Sequence, residues 1–113
     1  MHFLLVGEVV AMTEPVNVKA HRGEFFRILS ETANSQIGVM TIRPGGDSGA
    51  GDLHRGDQFI YVIEGEGRAE VGGQRFSLRE GEAVIIPART PHRIYNTGAG
   101  ELFFVTVYAP PSY

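Results

Sequence analysis

The sequence predicts an all-β domain. Three observations carry that reading. The apolar segments are short and rich in Val, Ile, Phe and Tyr. They are separated by turn residues, and the 15 glycines and 6 prolines are spread along the chain rather than gathered in one linker. No segment sustains a helical spacing of apolar residues. Short apolar runs at regular intervals with turn signals between them describe a sandwich or barrel.

The elements follow in order. Phe3–Val10, Phe25–Glu31 and Gln36–Arg43 are the first expected strands. Residues 14–24, with Pro15, two β-branched valines and Gly23, read as a connector with room for one helical turn. Gln58–Glu64 alternates, so Gln58, Ile60 and Val62 share one face while Phe59, Tyr61 and Ile63 share the other. Gly65 and Gly67 stand where the chain must bend. Arg68–Val71 and Arg75–Leu78 flank Gly72-Gly73, a two-residue loop that suits a primed turn. Ala83–Ile86, His92–Asn96 and Leu102–Tyr108 complete the set. In the last of these, Leu102, Phe104 and Tyr108 oppose Phe103, Val105 and Val107, so both faces are apolar. One face is expected to line the interior, the other to meet a second layer or another subunit. Pro110 and Pro111 end the strand, because proline donates nothing to a ladder.

Bulk properties narrow the function. A chain of 113 residues is sized for one domain, expected to span 1–113, and 42% apolar residues is an ordinary globular value. A net charge of −3 argues against a nucleic-acid partner, which needs a clustered basic surface. There is no cysteine, so disulfides, thiolate chemistry and sulfur-bound zinc are excluded. Any metal must be held by nitrogen and oxygen. The opening "MHFLLVGEVVAM" is interrupted by Gly7 and Glu8 and lacks a basic leader region, and no run is long enough to cross a membrane as a helix. A cytoplasmic protein without a membrane partner is the expectation.

Two stretches carry chemistry. In the first, Gly46 is followed after five residues by Asp52-Leu53-His54, after three more by Gln58, and after six more by Gly65. In the second, "GEAVIIPARTPHRIYN", Gly81 is followed after five residues by Pro87, then by Arg89, His92 and Asn96. Gln58 is the informative residue. A polar group at the end of a buried strand face needs a partner or it costs stability, and a metal, a water or a ligand could each supply one.

This pair of stretches, 46–65 and 81–96, resembles the two motifs of the cupin superfamily. The resemblance runs from about Ser35 to the end of the chain. It implies a double-stranded β-helix, or jelly-roll, barrel that is often dimeric, with a metal or ligand site inside. In metal-binding cupins the ligands are three histidines and a glutamate. By position, His54 and His92 match histidines, Asp52 stands at the first histidine position and Gln58 at the glutamate position. Arg89 stands where the second motif has glycine. The implied metal set is therefore Asp52, His54, Gln58 and His92. Iron, manganese, nickel and zinc all suit such a nitrogen–oxygen site.

Each of these residues has a plainer reading. Asp52 equally forms a loop turn through its own backbone. Asp57 lies one residue off the ligand register and is expected to point outward. Arg55, Arg89 and Arg93 flank the motif histidines as solvated rim or, alternatively, as recognition groups for an anionic substrate. If the Arg89 position demands positive φ, the side chain there costs about 1 kcal/mol. His2 and His21 lie outside both motifs and read as surface or packing residues. Three functions follow: a metal-dependent enzyme, by oxygenation or isomerisation, acting on a small polar or anionic molecule; a non-catalytic small-ligand binder with an altered metal site; and a barrel that has lost its site. A homodimer is expected, with Phe3–Val10, the outward face of Phe59 and Tyr61, and Tyr108 to Tyr113 as contacts.

Overall fold

A computed structural model describes residues 14–49 and 53–113. The expected strand Phe3–Val10, His2 and Asp52 lie outside the described residues. After a 3-10 turn at Val18–His21 come eight strands: β1 Phe26–Glu31, β2 Gln36–Ile42, β3 Asp57–Glu64, β4 Glu66–Val71, β5 Gln74–Arg79, β6 Ala83–Ile86, β7 His92–Asn96 and β8 Leu102–Ala109. They match the expected segments to within two residues at each end. No described helix is long and apolar enough to cross a membrane.

All pairings are antiparallel. One sheet runs β1-β2-β8-β3-β6 and the other β5-β4-β7. The two sheets bury their facing sides in a jelly roll. Ile42, Ile60, Val62, Leu102 and Phe104 from the larger sheet meet Ala69, Leu78 and Ile94 from the smaller. The expected alternation of β3 holds: Gln58, Ile60 and Val62 are buried, while Phe59 and Tyr61 are 44% and 49% exposed. Period-two patterning places this apolar row inside because a one-residue slip would put all of it in water.

Two glycine sites matter to the architecture. Gly72 and Gly73, with φ of 56° and 85°, form the β4–β5 turn, and Val71 pairs with Gln74 across it. A side chain at Gly56 would collide with the Ala109 carbonyl and Pro110. Its absence lets the segment holding His54 lie against the end of β8. The 14–24 connector is pinned by Gly23 N–H, which donates to Thr41 Oγ1 at 2.9 Å, and by Arg22, which grips Glu64 through two bonds of 2.6 Å.

Candidate metal and ligand site

β3, β7 and β8 converge at one end of the jelly roll. β3 contributes Gln58, β7 opens with His92, and the segment before β3 supplies His54. The two imidazoles stand with centroids 5.2 Å apart although their residues are far apart in sequence. His92 is 9% exposed, and its Nδ1 lies 3.0 Å from the Thr90 carbonyl. A carbonyl only accepts, so Nδ1 carries a proton; in the neutral ring Nε2 then keeps its lone pair, the arrangement a ligating imidazole adopts.

Gln58 is 5% exposed. Its Nε2 donates to Thr106 Oγ1 at 3.0 Å and to Tyr108 Oη at 3.5 Å. Its Oε1 is buried and has no hydrogen-bond partner. An orphaned acceptor of this kind costs about 1–3 kcal/mol. The cavity that these groups line has a volume of about 30 Å³, with Met40, Ile94 and Phe104 as its apolar wall. That volume suits one ion or one water and is roughly a tenth of an ordinary organic-ligand pocket.

The separation of the two rings is one that a shared cation allows. An ion about 2.1 Å from an imidazole nitrogen stands roughly 3.2 Å from the ring centroid, so two rings sharing it at a tetrahedral angle have centroids about 5.2 Å apart. Two imidazoles and an unpartnered amide oxygen suit a borderline divalent metal. Among the described residues, no group of three or more His, Cys, Asp or Glu is placed to hold a metal. The charged ligand that most such sites contain is not among them.

His54, Gln58 and His92 are thus brought to one cavity, and Asp52 is outside the described residues. Asp57 points outward as expected and accepts from Ala88 N–H at 3.0 Å. None of the three flanking arginines lines the cavity. Arg89 is exposed with φ 58°, the one described non-glycine residue at positive φ, as its glycine position implied. Its N–H donates to the His54 carbonyl at 2.6 Å. Arg93 is on the outer face of β7, where alternation sends it away from His92 and toward the Tyr95 ring at 5.9 Å. Arg55 lies on a surface groove beside the cavity.

The expectation that Tyr108 meets a partner chain is corrected. Tyr108 is 2% exposed and lines the cavity, because its strand face is the buried one. Its membership of that face was readable from alternation on β8. Thr106, between Phe104 and Tyr108, joins the same face by the same alternation. Tyr113 is another cavity residue without a local signal. Its ring packs on His54 at 5.5 Å, Tyr108 at 5.1 Å and Phe26 at 4.8 Å.

Comparison with known proteins agrees with this architecture. A family model described as the cupin domain matches residues 38–108. A crystal structure of BH2720 from Bacillus halodurans superposes with a TM-score of 0.78 and 29% identity, covering 98% of this chain and 83% of that one. An uncharacterized conserved protein with a double-stranded β-helix domain from Klebsiella pneumoniae superposes with a TM-score of 0.70 and 28% identity, covering 94% and 89%. The uncharacterized protein YrkC of Bacillus subtilis is 31% identical over 85 residues, which is 69% of this chain and 45% of YrkC. The chain spans less than half the length of the curated relatives it matches. The chain belongs to the cupin family.

Proposed function

We propose that this cupin holds a divalent metal ion through His54, His92 and Gln58, and acts on a small polar or anionic organic molecule brought to that ion. The observation that carries this reading is the Gln58 side chain. It is buried at the cavity shared by both imidazoles, and its Oε1 lacks any hydrogen-bond partner. An ion there would satisfy an acceptor that no protein group satisfies. When bound, such an ion supplies Lewis-acid polarisation of a substrate oxygen or a seat for dioxygen.

The chain's own residues have defined tasks in this reading. Thr90 orients the His92 ring through its carbonyl. Thr106 and Tyr108 hold the Gln58 amide so that its oxygen is the part left over. Tyr108 brings a hydroxyl to the same cavity, 3.5 Å from the Gln58 amide nitrogen. Iron, manganese, nickel and zinc remain the metals that suit these donors. The test is metal content by elemental analysis after incubation with each of the four and removal of excess. Stoichiometric retention of one supports the reading, and retention of none overturns it.

One observation favours a second reading. No third His, Cys, Asp or Glu joins the two histidines among the described residues. In that reading the same groups hydrogen-bond a small ligand directly, without turnover.

We further propose a homodimer formed through the outer face of the larger sheet. Phe59 pairs in register with Ile85, and Phe59, Tyr61 and Ile85 are 44%, 49% and 62% exposed. A contiguous exposed apolar face of this kind marks an association surface.

A further inference from the structure

Of the two cavity imidazoles, His92 belongs to a strand and His54 does not. We infer that Tyr113, clamped by the buried amide of Gln36, is the positioning residue for His54 and fixes the orientation in which that ring faces the cavity. The inference rests on the reading of His54 as a donor at that cavity.

His92 has its backbone in the β7 ladder and its ring turned by the Thr90 carbonyl. The His54 backbone is tied by the Arg89 N–H, ahead of β3. Its ring meets two others in T-shaped contacts: Tyr108 with centroids 5.0 Å apart at 69°, and Tyr113 at 5.5 Å and 63°. Those two rings also meet each other, at 5.1 Å and 65°. Edge-to-face contacts at these distances are favourable beyond the area they bury, and they favour a particular tilt.

The two tyrosines are anchored differently. Tyr108 sits in β8, between β2 and β3. Tyr113 lies beyond β8, and Gln36, opposite Tyr108 on β2, holds its backbone. Gln36 is 1% exposed. Its Oε1 accepts from the N–H groups of Ser112 at 2.9 Å and Tyr113 at 3.0 Å. Its Nε2 donates to the Tyr113 carbonyl and to Glu31 Oε1. These bonds use both lone pairs and both N–H groups of the amide. Releasing the segment would therefore leave buried polar atoms unmet. Phe26 adds a third ring against Tyr113, at 4.8 Å. A ligating imidazole presents one nitrogen in one direction. A ring already held there spares the entropy of ordering it on binding.

The test begins with NMR of the metal-free full chain. Cross-peaks between the His54 and Tyr108 rings should weaken in Tyr113→Ala and persist in Tyr113→Phe, which keeps the ring. Tyr113 is 57% exposed, so its truncation opens no void in the core. Calorimetric titration with zinc should show roughly threefold to tenfold weaker binding in Tyr113→Ala, the cost of ordering one side chain, and recovery in Tyr113→Phe. In the parent, which needs no substitution, the amide hydrogens of Ser112 and Tyr113 should exchange as slowly as those of β8. Exchange as fast as that of an unprotected amide overturns the clamp. Undiminished His54–Tyr108 cross-peaks in Tyr113→Ala, or zinc affinity equal to the parent's, overturns the role of Tyr113. If the parent binds no zinc, the two metal-free measurements alone decide the positioning. Failure of the metal reading shows separately, as retention of none of the four metals.

Discussion

The backbone N–H of Arg89 donates to the carbonyl of His54 at 2.6 Å, tying the loop of the second motif to the segment that carries a histidine of the first. Arg89 reaches this position with φ 58°. For a residue with a Cβ that conformation costs about 1–2 kcal/mol, whereas glycine adopts it freely but loses more entropy on folding. Arg89→Gly should therefore keep the bond to His54 and raise stability, by about 1 kcal/mol at most. Arg89→Val should lower it. Urea unfolding measures both. A clear loss in Arg89→Gly would mean that the guanidinium itself holds the loop.

Gln58 and His92 separate the metal reading from its rival. His92→Ala should abolish metal retention, since only one imidazole then remains at the cavity. Gln58→Glu should tighten binding, because a carboxylate attracts a cation more than an amide does. Without metal, the same variant buries an unpaired charge and should melt earlier than the parent, and added metal should restore the loss. Uptake should weaken on acidification in the parent, because protons compete for the imidazole nitrogens. Calorimetric titration gives the affinities. Equal affinities in the parent and Gln58→Glu count against ligation by residue 58.

Asn96 ends the second motif for a structural reason. It is 5% exposed, its Nδ2 donates to the carbonyls of Ile42 and Gly100 at 2.8 Å each, and its Oδ1 accepts from Gly98 N–H at 2.8 Å. It therefore braces the turn between β7 and β8 against β2. Asn96→Ala should cost about 2–3 kcal/mol by orphaning these groups. Denaturant unfolding at neutral pH gives the value, and a loss too small to resolve would show that water replaces the amide.

The Arg22–Glu64 pair makes part of the stability pH-dependent. The hydrogen bonds from Arg22, and then its charge, hold the Glu64 carboxyl below the ordinary carboxylate range, and Glu64 holds Arg22 above its own. A carboxyl depressed in the folded state binds its proton first when unfolded. Its contribution is complete above the unfolded value of about 4.3 and disappears as pH falls through the lower folded value. The stability difference between the parent and Glu64→Gln should be present at neutral pH and should shrink below about pH 4.3. It should also fall with added salt, because both side chains reach solvent. A difference that is flat with pH would falsify the linkage.

Self-association should depend on Phe59 and Ile85. Placing arginine at both positions puts like charges on facing surfaces of a two-fold contact and should give a monomer by light scattering. A parent protein that is already monomeric at micromolar concentration removes the dimer proposal.

Much of this molecule is written in local patterns. Alternation from Gln58 to Val62 and from Leu102 to Tyr108, and the Gly72-Gly73 turn, depend only on which residue follows which. The strands and their buried faces were therefore legible, and motif spacing was enough to single out His54, Gln58 and His92. The long-range partners were not legible. Gln36 meets the tail 77 residues away, Gln58 meets Thr106 across 48, and Arg22 meets Glu64 across 42. The first two exist because β2 and β3 both pair with β8 and bring its end beside the motif histidines. The identity of a strand's neighbour is decided by packing of the whole sheet rather than by its own residues. Sequence alone determined the jelly roll and its candidate donors. Only the tertiary structure decided that His54, Gln58 and His92 line one small cavity together with Tyr108 and Tyr113.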